Sequence, residues 1–208
     1  MEMDREVIMA QYDAGSDNYK KLTKIIEEIL RDSIVKKGGI KIHSITSRVK
    51  SFDSFMDKLK KKKFSQPFKE IHDLVGFRIV CLFLSDLSEI RNIIREEFNV
   101  FEEDDKINDQ DINIFGYMSL HVKAKLKDSV DSLSMYELNK ISFEIQIRTI
   151  AQDAWASISH YLNYKRNTIP DELKRDFYAL SSLFYVADTH FLTLQKEYKK
   201  RLLDNHRS

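Results

Sequence analysis

From residue 116 to residue 126 the chain reads GYMSLHVKAKL, with Tyr117, Ser119, His121, Lys123 and Lys125 alternating against Met118, Leu120, Val122, Ala124 and Leu126. A period of two is the repeat of a β-strand with one apolar and one polar face. SFEIQIRT, residues 142–149, repeats the pattern: Phe143, Ile145 and Ile147 on one side, Glu144, Gln146 and Arg148 on the other. Residues 71–84, IHDLVGFRIVCLFL, form an apolar run broken by Asp73 and Arg78, which predicts a central strand buried on both faces.

Between these strands the period changes. Residues 17–37 place Leu22, Ile25, Ile26, Ile29 and Leu30 at helical spacing and stop at Gly38-Gly39. FDSFMDKLKKKK predicts a helix with Phe52, Phe55, Met56 and Leu59 inward, and Lys58 and Lys60 to Lys63 on its other side. SDLSEIRNIIREEF predicts a helix capped by Ser85, with Leu87, Ile90, Ile93, Ile94 and Phe98 on one side. EEDDKINDQDIN reads as an acidic surface loop and KDSVDSLSMYELNK as a long connection. IAQDAWASISHYLNYK puts Ala154, Trp155, Ile158 and Leu162 on one side of a helix. After Pro170, apolar residues at 173, 177, 180, 184, 187, 191, 194 and 198 define a long helix, or two, with a continuous seam. The seam is expected to cover the domain's own core, with an oligomer contact as the alternative.

Strands of mixed character with crossing helices predict an α+β domain whose sheet has one face under helices and the other carrying function. The expected organisation is an N-terminal helical segment at 1–40, a core at 41–168 and a C-terminal helical segment at 169–208. With 208 residues, 42% hydrophobic and 11% aromatic, the chain is long and apolar enough to fold rather than remain disordered. A net charge of +1 gives no overall basic field, so binding of tRNA or a regulatory RNA would need a local patch; the lysines at 20, 21, 24, 36, 37 and 60–63 are candidates, and otherwise a solvated face. The lone Cys81 excludes an internal disulfide and reads as core. The first fifteen residues hold no apolar signal core, and IVCLFL is too short to span a bilayer, so a cytoplasmic location without membrane contact is expected.

The polar face carries the chemistry. Asp73 and Glu144, from different strands, suit a hard cation such as Mg²⁺, which prefers oxygen ligands and shares them with substrate phosphates. Arg48, Lys50 and Lys58 would meet a polyphosphate, and Tyr117 would stack on a base. The set is that of a phosphoryl-transfer site. Spacing alone leaves a second reading open, in which Asp73 with Arg78 and Glu144 with Arg148 are structural ion pairs. No zinc spacing and no glycine-rich phosphate loop is present.

SRVKSFDSFMDKL, IHDLVGFRIVCLFLSDL, FGYMSLHV and FEIQIRTIAQDAWASISHYLNYK, spread over about residues 43–200, resemble in order the motifs of the RelA/SpoT-type (p)ppGpp synthetase domain, in its single-domain form, the small alarmone synthetases. The resemblance implies a nucleotidyltransferase-like mixed sheet of about five strands flanked by helices, with long C-terminal helices, and a synthetase without its hydrolase partner. It implies transfer of the β,γ-pyrophosphate of ATP to the 3′-hydroxyl of GDP or GTP, with Mg²⁺ as cofactor. By motif position, Arg48, Lys50, Lys58 and Arg78 would bind ATP, and Asp73 and Glu144 would be catalytic and hold the metal. Tyr117, His121, Gln146 and Arg148 would bind the acceptor. Some relatives are tetramers, so the resemblance leaves a homo-oligomer, a tetramer among them, open beside a single chain. The chain departs from the family before Gly116, where DKINDQDINIF carries only Lys106, which predicts a weaker grip on the acceptor's phosphates. That departure keeps a second reading in view: a toxin-type relative that pyrophosphorylates the 3′ end of tRNA. A non-catalytic nucleotide- or RNA-binding domain is a third, and it predicts damage to a site whose residues are all present.

Overall fold

The structure, a computed structural model, describes residues 4–105, 119–127, 133–163 and 170–205. Among these, the strands are β1 (Ile42–Val49), β2 (Val75–Cys81), β3 (Phe98–Asp105), β4 (Leu120–Leu126) and β5 (Phe143–Thr149). The helices are α1 (Arg5–Lys37), α2 (Phe52–Lys61), α3 (Pro67–Glu70), α4 (Leu84–Glu97), α5 (Leu133–Asn139), α6 (Ile150–Asn163) and α7 (Asp171–Asn205). The strands form one sheet in the order β1-β2-β5-β4-β3, with β2 and β5 parallel and the other neighbours antiparallel. This is the α+β architecture with a five-stranded mixed sheet that the sequence pattern and the family resemblance predicted.

One face of the sheet is dry. Val75, Phe77, Ile79 and Cys81 of β2, Phe143, Ile145 and Ile147 of β5, and Val122 and Ala124 of β4 are buried there under Leu22, Ile26 and Leu30 of α1 and Ile90 and Ile94 of α4. Each fully buried Ile, Leu or Phe contributes about 1.5–3 kcal/mol, so this layer is the main source of stability. Cys81 behaves as a core residue, and burial pushes its thiol pKa up.

Several elements differ from the sequence expectation. Helix α1 starts at Arg5 behind an Asp4 cap, because Ile8, Tyr12 and Tyr19 extend its apolar stripe. It ends as expected, at Gly38 and Gly39 with φ 68° and 78°, a region costly for residues with a Cβ. Strand β2 is not buried on both faces: Gly76 and Arg78 turn half-buried toward the polar side. The acidic segment 102–105 is edge strand, not loop; Arg91 and Arg95 of α4 grip Glu103, offsetting the poor strand propensity of acids. Ser85 lies inside α4 rather than at its cap, and its hydroxyl donates to Gln195 of α7 (3.0 Å). The connection after β4 contains α5.

The C-terminal helices are rotated relative to expectation. On α6 the buried residues are Ala151, Gln152, Trp155, Ala156 and Ser159, while Ile158 and Leu162 are exposed. On α7 the inward positions are Ser181, Asp188 and Gln195, spaced by seven, with Phe177 and Phe184 stacked against Trp155 at 4.5 and 5.9 Å. The predicted seam is therefore split: Phe177, Phe184 and Ala187 stay half-buried, whereas Leu173, Leu180, Phe191, Leu194 and Tyr198 are exposed. Side-chain hydrogen bonds set this rotation, Thr149 Oγ1 donating to Asp188 Oδ2 (2.7 Å) as Ser85 does to Gln195.

Burial pushes the Asp188 carboxyl up to about 6, against the smaller lowering by the Thr149 hydrogen bond. The folded chain thus keeps a proton that the unfolded chain releases near pH 4, and stability falls as pH rises from about 4 to about 6, by up to about 3 kcal/mol. Asp188→Asn, which retains an acceptor for Thr149, is expected to raise the melting temperature at pH 8 and flatten its pH dependence between 4 and 7. Thermal unfolding followed across that range checks it; an unchanged profile would show that Asp188 does not titrate in this window.

Candidate active site

The opposite face of the sheet is polar on every strand. Register aligns Arg48 of β1 with Gly76 of β2, Gly76 with Glu144 of β5, and Glu144 with Lys123 of β4. One step along, Thr46, Arg78, Gln146 and His121 form the parallel row. Gly76 adds no side chain to this floor, and a cavity of ≈ 230 Å³ opens there, lined among others by Arg48, Asp73, Arg78, Glu144 and Gln146. A Cβ at Gly76 would meet the Arg48 side chain at an ordinary 3.8 Å, so what the glycine provides is room beside Glu144 rather than relief of a clash.

Asp73 is held at the mouth of this cavity by the segment entering β2. The backbone N–H of Lys50, just past β1, donates to Leu74 O (2.8 Å), and the Tyr12 hydroxyl donates to Lys50 O (2.6 Å). Lys50 Nζ then lies 2.8 Å from Asp73 Oδ2. Helix α2, capped by Ser51 and anchored by the buried Phe55, brings Lys58 Nζ to 2.9 Å from Asp73 Oδ1. Burial alone would raise the Asp73 pKa, but the two lysines hold it below the usual carboxylate range.

Glu144 Oε1 lies 2.9 Å from His121 Nδ1. An ionised carboxylate only accepts hydrogen bonds, so the ring N–H donates. Burial and the neighbouring Asp73 charge push Glu144 up, yet His121 and the Gln146 amide outweigh them and its pKa is lowered. Glu144 is therefore ionised at neutral pH.

A third group braces the floor. Arg148, only 2% exposed, donates to Asp153 (3.2 Å), Gln146 Oε1 (3.1 Å) and Ser119 Oγ (3.2 Å). Asp153 also pairs with Arg78 at 3.4 Å. Burial and the adjacent Arg78 lower the Arg148 pKa to about 10, which leaves it charged at neutrality.

The structure brings Arg48, Lys50, Lys58, Asp73, Arg78, His121, Glu144, Gln146 and Arg148 to one face. Tyr117, the candidate base platform, and Lys106 lie outside the described residues. The pairings suggested by spacing are not those observed: Asp73 pairs with Lys50 and Lys58 rather than Arg78, and Glu144 with His121 rather than Arg148. Sequence reasoning missed Asp153, whose place in the first turn of a helix directly after a strand with Arg148 next to its end was the available signal. Among the described residues no three His, Cys, Asp or Glu gather to hold a metal. Asp73 and Glu144 face one cavity with oxygen donors, which fits a cation that fills its remaining positions with water and phosphate oxygens.

Residues 47–169 match the family model for the region found in RelA and SpoT proteins. GTP pyrophosphokinase YwaC of Bacillus subtilis (strain 168) is 34% identical over 163 residues, 75% of each chain. Small alarmone synthetase 1 from Bacillus subtilis shares the fold, with a TM-score of 0.77 at 24% identity over 91% of this chain and 98% of that one. Its structure bound to its product pppGpp gives 0.72 at 25% identity over 91% and 99%.

Replacing Arg148 with Met removes its hydrogen bonds to Gln146 and Ser119 and leaves Asp153 with Arg78 alone, and is expected to lower the unfolding free energy by about 1–3 kcal/mol. Urea denaturation followed by Trp155 fluorescence measures this, and an unshifted midpoint would show that Arg148 does not brace the floor.

Proposed function

The chain belongs to the RelA/SpoT family, and from that premise we propose that it is a cytoplasmic GTP pyrophosphokinase, transferring the β,γ-pyrophosphate of ATP to the 3′-hydroxyl of GDP or GTP to give ppGpp or pppGpp and AMP. The observation that carries this reading is the pairing of Asp73 and Glu144 across one cavity rimmed by Arg48, Lys50, Lys58 and Arg78. The relative that binds pppGpp supports the acceptor class.

In this reading Arg48, Lys50, Lys58 and Arg78 hold the phosphates of ATP, and the two lysines now on Asp73 are placed to share themselves with phosphate oxygens. Asp73 and Glu144 hold Mg²⁺, which when bound offsets the charge of the phosphate chain. Glu144, ionised and steadied by the His121 N–H, accepts the hydrogen bond of the 3′-hydroxyl and takes its proton. The freed oxygen forms a bond to the β-phosphorus as the bond from that phosphorus to the α-phosphate oxygen breaks and AMP leaves. Tyr117 stacks on guanine, His121 borders the acceptor, and Gln146 and Arg148 shape the floor. The outward seam of α7 supports assembly into a homo-oligomer.

The test supplies γ-labelled ATP and Mg²⁺ with GDP, GTP and tRNA in parallel. Label is expected on the guanine nucleotides and lost with chelator. Glu144→Gln and Asp73→Asn are expected to lower turnover about 10²–10⁴-fold with the fold intact. Label moving only to tRNA, for which the exposed Lys60 to Lys63 give a basic surface, would overturn the nucleotide reading. The pH profile is a separate check. A lowered Glu144 pKa keeps the base ionised down to acid pH, so the acid limb of kcat/KM belongs below the usual carboxylate value; loss of activity through Glu144 near pH 6–7 would contradict the assignment.

A further inference from the structure

We infer that a second cavity, behind the segment that enters β2, is a binding site for a small aromatic carboxylate, and that its occupant is felt at Asp73. The site itself is independent of the proposed reaction, whereas its effect on ATP rests on that reading.

The cavity, ≈ 230 Å³, opens between α1, α3 and α5, and its back is apolar, formed by Phe68, Ile71, Leu74 and Ile141. Tyr19, 6% exposed, lines it from α1. Its phenol lies over Gly15, where a Cβ would stand 2.6 Å from the hydroxyl oxygen. Glycine inside a helix is destabilising relative to alanine, and what it provides here is space for that hydroxyl. The hydroxyl nevertheless has no hydrogen-bond partner among the described residues; the bond from Thr23 goes to the Tyr19 backbone carbonyl. A polar group withdrawn from water without a partner is costly, and this one faces a cavity, where the acceptor of a ligand would meet it. Charge selects the kind of ligand. Lys69, at the rim, makes no ion pair among the described residues, whereas Lys140 is held by Glu137 at 2.8 Å. One uncommitted ammonium and one phenol donor above an apolar back suit a singly charged acid with a ring body, since a polyphosphate calls for several cations.

Two pieces of chain form a wall common to this cavity and the catalytic one. Ile71 and Leu74 line the former, while Asp73, between them, lines the latter. The backbone carbonyl of the same Leu74 receives the N–H of Lys50, whose ammonium holds Asp73. Ser142 is buried, lines the second cavity, and places its Oγ 2.8 Å from Nδ1 of His72, the residue before Asp73. Close-packed segments transmit a displacement rather than absorb it. An occupant pressing on Ile71 and Leu74 therefore shifts the setting of Asp73 and, in the proposed reaction, of the donor nucleotide.

The probes are 2-naphthoate and its uncharged amide, 2-naphthamide, with binding to the full chain measured by equilibrium dialysis alongside label transfer from ATP. Saturable binding of naphthoate is expected. Tyr19→Phe, which removes only the hydroxyl, is expected to weaken naphthoate about tenfold without lowering the melting temperature, since no internal hydrogen bond is lost. Lys69→Gln is expected to weaken naphthoate about threefold and to leave naphthamide unchanged. Saturating naphthoate is expected to change the dissociation constant of ATP with Mg²⁺ by more than about twofold, and ATP to change that of naphthoate by the same factor. Absence of naphthoate binding, or equal binding by Tyr19→Phe, overturns the site and leaves the reaction standing. Binding that responds to both substitutions without any shift for ATP overturns the link to Asp73. If naphthoate binds and responds to both substitutions but no label moves from ATP, the site stands and the reaction falls.

Discussion

The parallel pairing of β2 with β5, Gly76 beside Glu144 and Arg78 beside Gln146, is the constraint on which both sides of the molecule depend. A slip of one residue would turn Glu144, Gln146 and Arg148 into the core and expose Phe143, Ile145 and Ile147. The dry face would then lose several buried side chains and gain three polar ones without partners. Core and site enforce one register from opposite sides, which is how a polar row of this density is kept in place without covalent staples.

The charges on that row are arranged in local balances. Asp73 sits between Lys50 and Lys58, Glu144 against His121, and Asp153 between Arg78 and Arg148. Pairs withdrawn from solvent in this way spend much of their attraction on desolvation and add little net stability. In the proposed reaction their value is preorganisation: each group given a role there is already oriented, and the lysines on Asp73 would exchange one oxygen partner for another.

Much of this was legible because periodicity is a local property. The alternation in β4 and β5 placed His121, Glu144, Gln146 and Arg148 on one face, and the helical spacing of Phe52, Phe55 and Met56 put Lys58 on the free side of α2. What stayed hidden was relational. No residue of β5 announces that Glu144 will lie beside a glycine, nor that its partner will be His121. The acidic end of β3, residues 102–105, was read as loop because acids have low strand propensity, and the arginines that compensate lie on α4. The whole α7 seam was assigned inward because apolar spacing was the only signal available, and Phe177 and Phe184 do pack on Trp155, whereas Thr149 and Ser85, distant in sequence, turn Asp188 and Gln195 toward the protein and leave the rest of the seam out.

The central pairing joins Val75 to Phe143, 68 positions apart in the chain. Everything proposed for the donor nucleotide, from Arg48 to Arg78, lies in one continuous stretch, with α2 and α3 in the connection, that closes through the antiparallel β1–β2 pairing. Glu144 arrives only when the long intervening segment has been closed, a step that pays its entropy before any contact repays it. A chain that has not yet paired β5 therefore lacks the proposed base even where the cations proposed for the donor are already linked. Order of assembly acts as an interlock: the chemistry becomes available only with the last strand of the sheet in place.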